Sequence, residues 1–191
     1  MADPAAPPGV TLRPATEADV PAMLGLMDTA IAWLVSQGRT GQWGDGKEAS
    51  ISNPARVAQF DDLARPNSPI GSSWVAATDA GIIIGALSVG AAPDYVRPAA
   101  GPELYVRLLI TDRAWKGRGL GAFLVARARA LGRAAGVPVL RVDCYAGGDG
   151  KLVRWYESVG FERVETFEAK GGTWPGQVLV MRLGEDGLGQ S

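Results

Sequence analysis

The sequence contains no histidine and a single cysteine, Cys144. Without histidine the chain lacks the commonest general base at neutral pH and the commonest metal ligand. One cysteine allows no intrachain disulfide and no cysteine cluster for zinc, so no metal is expected. Excess charge is also missing: 19 Lys plus Arg stand against 20 Asp plus Glu, a net charge of −1. A chain so balanced is not built to coat nucleic acid, and no run interleaves aromatic and basic residues for stacking; no nucleic-acid partner is expected. Long apolar runs are scarce. The most apolar, "GIIIGALSVGAA", is too short and glycine-rich to span a membrane, so no membrane partner is expected either. The opening "MADPAAPPG" has neither a basic start nor an apolar centre and does not read as a signal peptide. These absences favour a cytoplasmic location.

What is present is a chain of 191 residues, 47% apolar, enough for one domain with a substantial core. The reading assigns residues 1–9 to a loose tail, 10–184 to the domain and 185–191 to a second, polar tail. "VTLRPAT" begins with strand alternation; Thr16, with Asp19 three residues on, caps a helix whose apolar positions run from Val20 to Leu34 and which Gly38 ends. Asn53 and Pro54 open a second helix, to about Leu63. "SSWVAAT" and "GIIIGALSV" are strands joined at Asp79-Ala80-Gly81. After a Pro/Gly-rich loop, Ala91 to Pro102, comes the strand "ELYVRLLI". A long helix then runs to about Ala135 and is stopped by Gly136 and Pro138. The strand "VLRVDCY", a short helix "KLVRWYESVG" and two closing strands, "FERVETFE" and "QVLVMRL", complete the order β-α-α-β-β-β-α-β-α-β-β, a mixed α/β domain.

Between the strand "ELYVRLLI" and the long helix lies "WKGRGLG", Trp115 to Gly121, with three glycines and two cations. Residues 112–133 carry a local charge of +5, so the remainder carries −6. Arg127, Arg129 and Arg133 read as a solvated helix face, whereas Arg113, Lys116 and Arg118 flank the glycines at a helix start. Unpaired amides at that start converge on one point, and the helix dipole favours negative charge there by about 0.3–1 kcal/mol per interaction. Glycines let a phosphate approach the backbone. A nucleotide P-loop is excluded, since no G-x-x-x-x-G-K-[ST] run exists. The dinucleotide fingerprint fits Gly117, Gly119 and Ala122, with Asp143 closing the next strand. Against it, Thr111 to Lys116 separate the strand from the glycines, and the 48 residues after Asp143 are too few for a doubly wound sheet.

The run Lys116-Gly117-Arg118-Gly119-Leu120-Gly121 resembles the Q/R-x-x-G-x-G/A signature of the GNAT superfamily of N-acetyltransferases, and "WYESVGFERV" is similar to that family's Y-E-x-x-G-F signature. The resemblance extends from "VTLRPATEADV" through the closing strands. It implies a single-domain α/β fold, with a mixed, mostly antiparallel sheet, a splayed central parallel pair and flanking helices. It also implies acetyl-CoA as co-substrate, its diphosphate held at Lys116, Gly117, Arg118, Gly119, Leu120, Gly121 and Ala122. Leu109, Ile110 and Thr111, around a bulge in the preceding strand, would hold the pantetheine arm and the acetyl carbonyl through their backbone. Two positions depart from the pattern: Lys116 keeps a cation but lacks the planar fork of arginine, and Asp149 stands where a cofactor-contacting asparagine is common. Dimers are common in the family, which leaves a homodimer open.

Acetyl transfer requires a neutral amine, a polarised thioester carbonyl, a donor to the developing oxyanion and a proton for the departing sulfur. Glu103, Tyr105 and Arg107 alternate with Leu104, Val106 and Leu108, so the odd positions are expected to form a polar face. By resemblance the general base comes from this strand: Glu103 first, directly or through water, and Tyr105 second. An exposed strand-end carboxylate is the alternative for Glu103. Tyr156 matches the tyrosine that serves the family as general acid; a buried structural tyrosine is the alternative. Cys144 reads as a small core residue, because direct transfer needs no acyl-enzyme. Trp33, Gln37, Trp43 and Tyr95, with Asp94, are candidates for the acceptor pocket, though tryptophans there are as readily core. Asp45, Glu48 or Asp94 facing that pocket would favour a cationic acceptor. The expected activity is acetyl transfer from acetyl-CoA to a primary amine on a small molecule or peptide. A noncatalytic CoA-binding sensor or scaffold and a transferase of longer acyl groups are the alternatives.

Overall fold

The computed structural model describes residues 4–65, 71–169 and 171–184. The expected tail at 185–191 and the first three residues of the expected tail at 1–9 lie outside the described residues. The elements run β1 (Val10–Pro14), α1 (Val20–Ser36), α2 (Pro54–Ala64), β2 (Gly71–Thr78), β3 (Ile83–Gly90), β4 (Glu103–Thr111), α3 (Leu120–Ala134), β5 (Val139–Tyr145), α4 (Lys151–Ser158), β6 (Glu162–Ala169) and β7 (Trp174–Arg182). The expected order of strands and helices is therefore the observed one.

Local chemistry sets the boundaries. The Thr16 amide and hydroxyl both donate to the Asp19 carboxylate, at 2.8 and 3.0 Å, and close a 3-10 turn that delivers the chain into α1. By length and composition the segment Glu17–Ser36 is apolar enough to cross a membrane. Its face of Val20, Met23, Leu24, Leu26, Met27, Ile31 and Leu34 is buried in the core. Asn53 accepts from the Arg56 amide at 3.1 Å and caps α2. The β2–β3 turn closes with the Gly81 amide on the Thr78 carbonyl at 2.8 Å.

The strands form one seven-stranded sheet in the order β1-β2-β3-β4-β5-β7-β6. All neighbours are antiparallel except β4 and β5, which run parallel. α1 and α2 pack on β2, β3 and β4, with Val75, Ala86, Leu108 and Ile110 beneath them. α3 and α4 cover the other face, over Leu87, Val106, Leu140, Val142 and Leu179. Beyond β4, the first face loses its helical cover. The β3–β4 loop takes over, burying Val96 with Tyr105 and Val178, and packing Ala92 and Phe167 against them.

Two irregularities in β4 position the site. Against β3, Ser88 pairs with Leu108 and Val89 with Val106, leaving Arg107 as the extra residue of a bulge. Against β5, the parallel pairing runs from Glu103↔Val139 to Val106↔Val142 and stops there. The strands thus part at the bulge. The bulge also overturns the expected polar face of odd positions. A period of two assumes an unbroken ladder, and one extra residue swaps the faces. Val106 faces α3 while Leu108 and Ile110 face α1, and Tyr105, expected on a polar face, has no exposed surface.

Candidate active site

The opening between β4 and β5 leads to a cleft of about 520 Å³, a volume suited to a small-molecule ligand. Its wall is formed on one side by the backbone run Leu109, Ile110 and Thr111. Opposite stand Trp33 and Gln37 of α1, and Trp43 of the α1–α2 loop. Lys116 lies at its edge beside Arg113, and Trp155 and Lys151 of α4 close it. Seven of the candidate cofactor- and acceptor-binding residues (Trp33, Gln37, Trp43, Leu109, Ile110, Thr111 and Lys116) therefore meet in one cleft. The guanidinium of Arg113 stacks 3.4 Å from the centroid of the Trp33 ring, and burial lowers its pKa from the ordinary arginine value.

At the head of α3, Gly117 and Gly119 adopt φ +80° and +78°, the left-handed region that favours glycine, and a Cβ at either would meet nothing within 4 Å. Among the described residues, the amides of Gly117, Gly119, Leu120, Gly121 and Ala122 find no acceptor. Open space in front of unpaired amides is what a diphosphate requires. Gly121 serves a different purpose: a Cβ there would lie 2.8 Å from Trp155, so this glycine lets α4 approach α3. Arg118 turns over Trp115, 4.8 Å from its ring centroid. Further along α3, Arg127 is not the solvated residue expected, but stacks 3.6 Å from the centroid of Trp74.

Asp149 precedes α4 and is paired with Arg39 at 2.6 Å and Lys151 at 2.7 Å. The Lys151 ammonium and amide and the Arg39 guanidinium hold its carboxyl below the usual carboxylate range. Asp45 and Glu48 line a separate groove with Asp28, away from the cleft, which leaves its rim cationic through Arg39, Arg113, Lys116 and Lys151.

Tyr156 is 6% exposed, its ring edge-on to Trp155 and Phe161, and its hydroxyl has no hydrogen-bond partner among the described residues. Burial raises its pKa, and interaction with the neighbouring Cys144 and Asp143 raises it further. Cys144 is buried and its thiol is pushed up to about 12 by burial, which suits a core residue and not a nucleophile. Glu103 lies four residues before the bulge, roughly 13 Å along the strand. Its carboxylate is held by Arg141 at 3.0 Å, and the same guanidinium reaches Glu165 at 3.4 Å. Tyr105 donates its hydroxyl to Asp143 at 2.8 Å. Tyr95 stands apart from the cleft and also points at Asp143, 3.5 Å from each oxygen.

Asp143 is the residue the sequence reading passed over. In the sequence it fits only the acid of a dinucleotide fingerprint, although a lone carboxylate in the strand "VLRVDCY" is a usable signal. It follows directly on the last parallel pair of β5, on the face covered by the β3–β4 loop.

The comparisons with known proteins bear on the family and the fold. A family model described as the acetyltransferase (GNAT) family matches residues 29–161. Among curated proteins, none matches the chain significantly. Among solved structures, a GNAT-family acetyltransferase from Listeria monocytogenes superimposes with a TM-score of 0.64 at 24% identity, over 91% of this chain and 94% of that one. A protein of Salmonella typhimurium, solved with its cofactor acetyl-CoA, gives 0.63 at 20% identity, over 96% and 99%. The ribosomal-protein-S18-alanine N-acetyltransferase of Escherichia coli gives 0.63 at 13% identity, over 95% and 99%. At these identities the superpositions establish the fold.

Proposed function

The chain belongs to the GNAT family of acetyltransferases, and from that premise we propose that it transfers the acetyl group of acetyl-CoA to a primary amine by direct attack at the opening between β4 and β5. The observation that carries the reading is the conjunction of unpaired amides at the head of α3 with a cleft that begins where β4 leaves β5. The solved relative that holds acetyl-CoA supports the choice of co-substrate.

The amides of Gly117 and of Gly119 to Ala122 and the Lys116 ammonium are suited to the diphosphate. Past the bulge, β4 has no partner on its β5 side among the described residues, so within Leu109 to Thr111 the amides and carbonyls that point away from β3 are free to hold the pantetheine arm as a strand would. The backbone there also supplies a donor for the thioester carbonyl. Tyr156 gives its hydroxyl proton to the departing sulfur. Trp33, Gln37 and Trp43 bound the cleft on the side away from α4. Direct attack needs no protein nucleophile, in keeping with the buried, protonated Cys144.

The test is thiol release from acetyl-CoA across a panel of amines (polyamines, aminoglycosides, amino acids and peptides), with each product identified by mass spectrometry. Amine-dependent release of thiol with one acetylated product is expected. Tight CoA binding without turnover on any amine would instead make the protein a sensor or scaffold.

A further inference from the structure

Acetyl transfer requires that the acceptor, an ammonium at neutral pH, lose a proton before its nitrogen can attack. Of the two groups the sequence put forward for that task, Glu103 is ion-paired with Arg141 and Tyr105 donates its proton to Asp143. We infer that Asp143 is the acceptor subsite: its carboxylate receives a primary ammonium group and takes the proton that frees the nitrogen for attack. The inference rests on the acetyl-transfer reading above and names the residue and substrate chemistry it leaves open.

Four observations carry it. Asp143 stands at the point where the sheet opens, one residue beyond the last parallel pair, Val106↔Val142. Its carboxylate is largely enclosed, yet among the described residues no Lys or Arg lies within ion-pair distance of it, whereas Glu103 and Glu165 on the same face share Arg141. A buried carboxylate without a counter-ion is costly, and a cationic ligand relieves that cost. Next, its two oxygens face hydroxyls held unequally: Tyr105 binds tightly at 2.8 Å from the sheet, while Tyr95, on the covering loop and 59% exposed, sits at 3.5 Å from both. An incoming ammonium can displace Tyr95 without breaking the sheet. Finally, a row of rings runs from this point toward Gln42, a residue that lines the cleft. Tyr95 lies 5.8 Å from Phe167, Phe167 lies 5.9 Å from Trp174, and Trp174 lies 5.6 Å from Tyr145. The Phe167 ring fills the space a side chain at Gly176 would take, and the Trp174 indole donates to the Gln42 carbonyl at 2.9 Å. Aromatic faces attract cations and accept the carbon body that carries them.

The charged and titratable groups around Asp143 are Tyr105 and Arg107 of β4, Tyr95 of the loop, Tyr156 of α4 and Cys144 on its own strand. Burial raises the Asp143 pKa, against the two tyrosine hydrogen bonds and the Arg107 charge, which lower it. The result is a stronger base than an exposed aspartate. One proton passes from the ammonium to the Asp143 carboxylate, and the N–H bonding pair becomes the lone pair that forms the C–N bond. Asp143 then releases this proton to solvent past Tyr95. As the C–S bond breaks, the sulfur takes the Tyr156 proton, and the second nitrogen proton restores the Tyr156 hydroxyl.

The experiment is the pH profile of kcat/KM for wild type, Asp143→Asn and Tyr105→Phe, using an amine the wild type acetylates, with acetyl-CoA affinity and melting temperature measured on each. Asp143→Asn should keep acetyl-CoA affinity and lose about 10²–10⁴-fold in kcat/KM near neutral pH. The deficit should shrink as pH nears the acceptor's own pKa, about 10 for an alkylamine. Tyr105→Phe removes a hydrogen bond to the charged carboxylate, so its acid limb should move to higher pH. That shift decides the matter should Asp143→Asn fail to fold, because a structural tyrosine would not move it. Wild-type kcat/KM and acid limb in a folded Asp143→Asn protein, or an unmoved limb in Tyr105→Phe, would overturn the assignment while leaving acetyl transfer standing. A wild type inactive on every amine would overturn both.

Discussion

Replacing Tyr156 by phenylalanine separates a chemical from a structural role at one atom. The ring is packed edge-on against Trp155 and Phe161 at centroid distances of 4.9 and 5.5 Å, and phenylalanine preserves both contacts. The hydroxyl has no protein partner among the described residues, so no hydrogen bond within the fold is lost. Stability should therefore change little. General acids contribute about 10²–10⁴-fold. A thiolate leaves fairly well unaided, and burial has raised the Tyr156 pKa, which weakens it as an acid. The expected loss in kcat is therefore small for a general acid, roughly 10- to 100-fold, with acetyl-CoA affinity little changed because the proton is needed only in the transition state. Steady-state thiol release and thermal melting on the same preparation give both numbers. Full kcat in a stable Tyr156→Phe protein would refute the proton-donor role. A lower melting temperature with normal kcat per folded molecule would make the hydroxyl structural.

The two glycines of the α3 loop should part company. Gly119→Glu, with open space before it, should fold and weaken acetyl-CoA binding more than tenfold by titration calorimetry, while Gly121→Ala should lose about 1–3 kcal/mol of stability by overpacking against Trp155. Arg141→Ala leaves Glu103 and Glu165 without their shared cation and should cost about 3–5 kcal/mol in urea unfolding. Asp19, held down to about 2 chiefly by its Arg13 hydrogen bonds, stabilises the fold above its unfolded value near 3.8. That stability should be lost as pH falls through about 2, an acid-side loss that Asp19→Asn should lack in pH-dependent melting.

Element type and order were legible because the helices carry apolar stripes, the first two are capped by Thr16 with Asp19 and by Asn53 with Arg56, and the last two start at glycines. The open turn at the head of α3, with left-handed Gly117 and Gly119, was legible for a similar reason: glycines and cations at a helix start have few other uses. The bulge at Arg107 was not, since nothing local marks one extra residue in a run of β-formers, and missing it put Tyr105 on the wrong kind of surface. Glu103 could be read as a free carboxylate only because its partner, Arg141, lies on a strand 38 residues away. Asp143 depends on three segments meeting, β4, β5 and the β3–β4 loop, and its hydroxyl partners lie 48 and 38 residues before it, so no short window of sequence displays it beside them. Gly121 looked like its neighbours in the signature, and its duty to Trp155 emerges only when α4 packs on α3.

The central claim is that the acetyl group passes straight from the CoA sulfur to an amine nitrogen at the parting of β4 and β5. Acetyl-CoA labelled with carbon-13 at the carbonyl, mixed with the protein and the acceptor found by the amine screen, reports each species by its own NMR signal. The account predicts that the thioester signal gives way to an amide signal on the acceptor, at a rate proportional to enzyme, with no label on the protein. A thioester signal unchanged by enzyme and amine, or label accumulating on the chain before any amide forms, would contradict it.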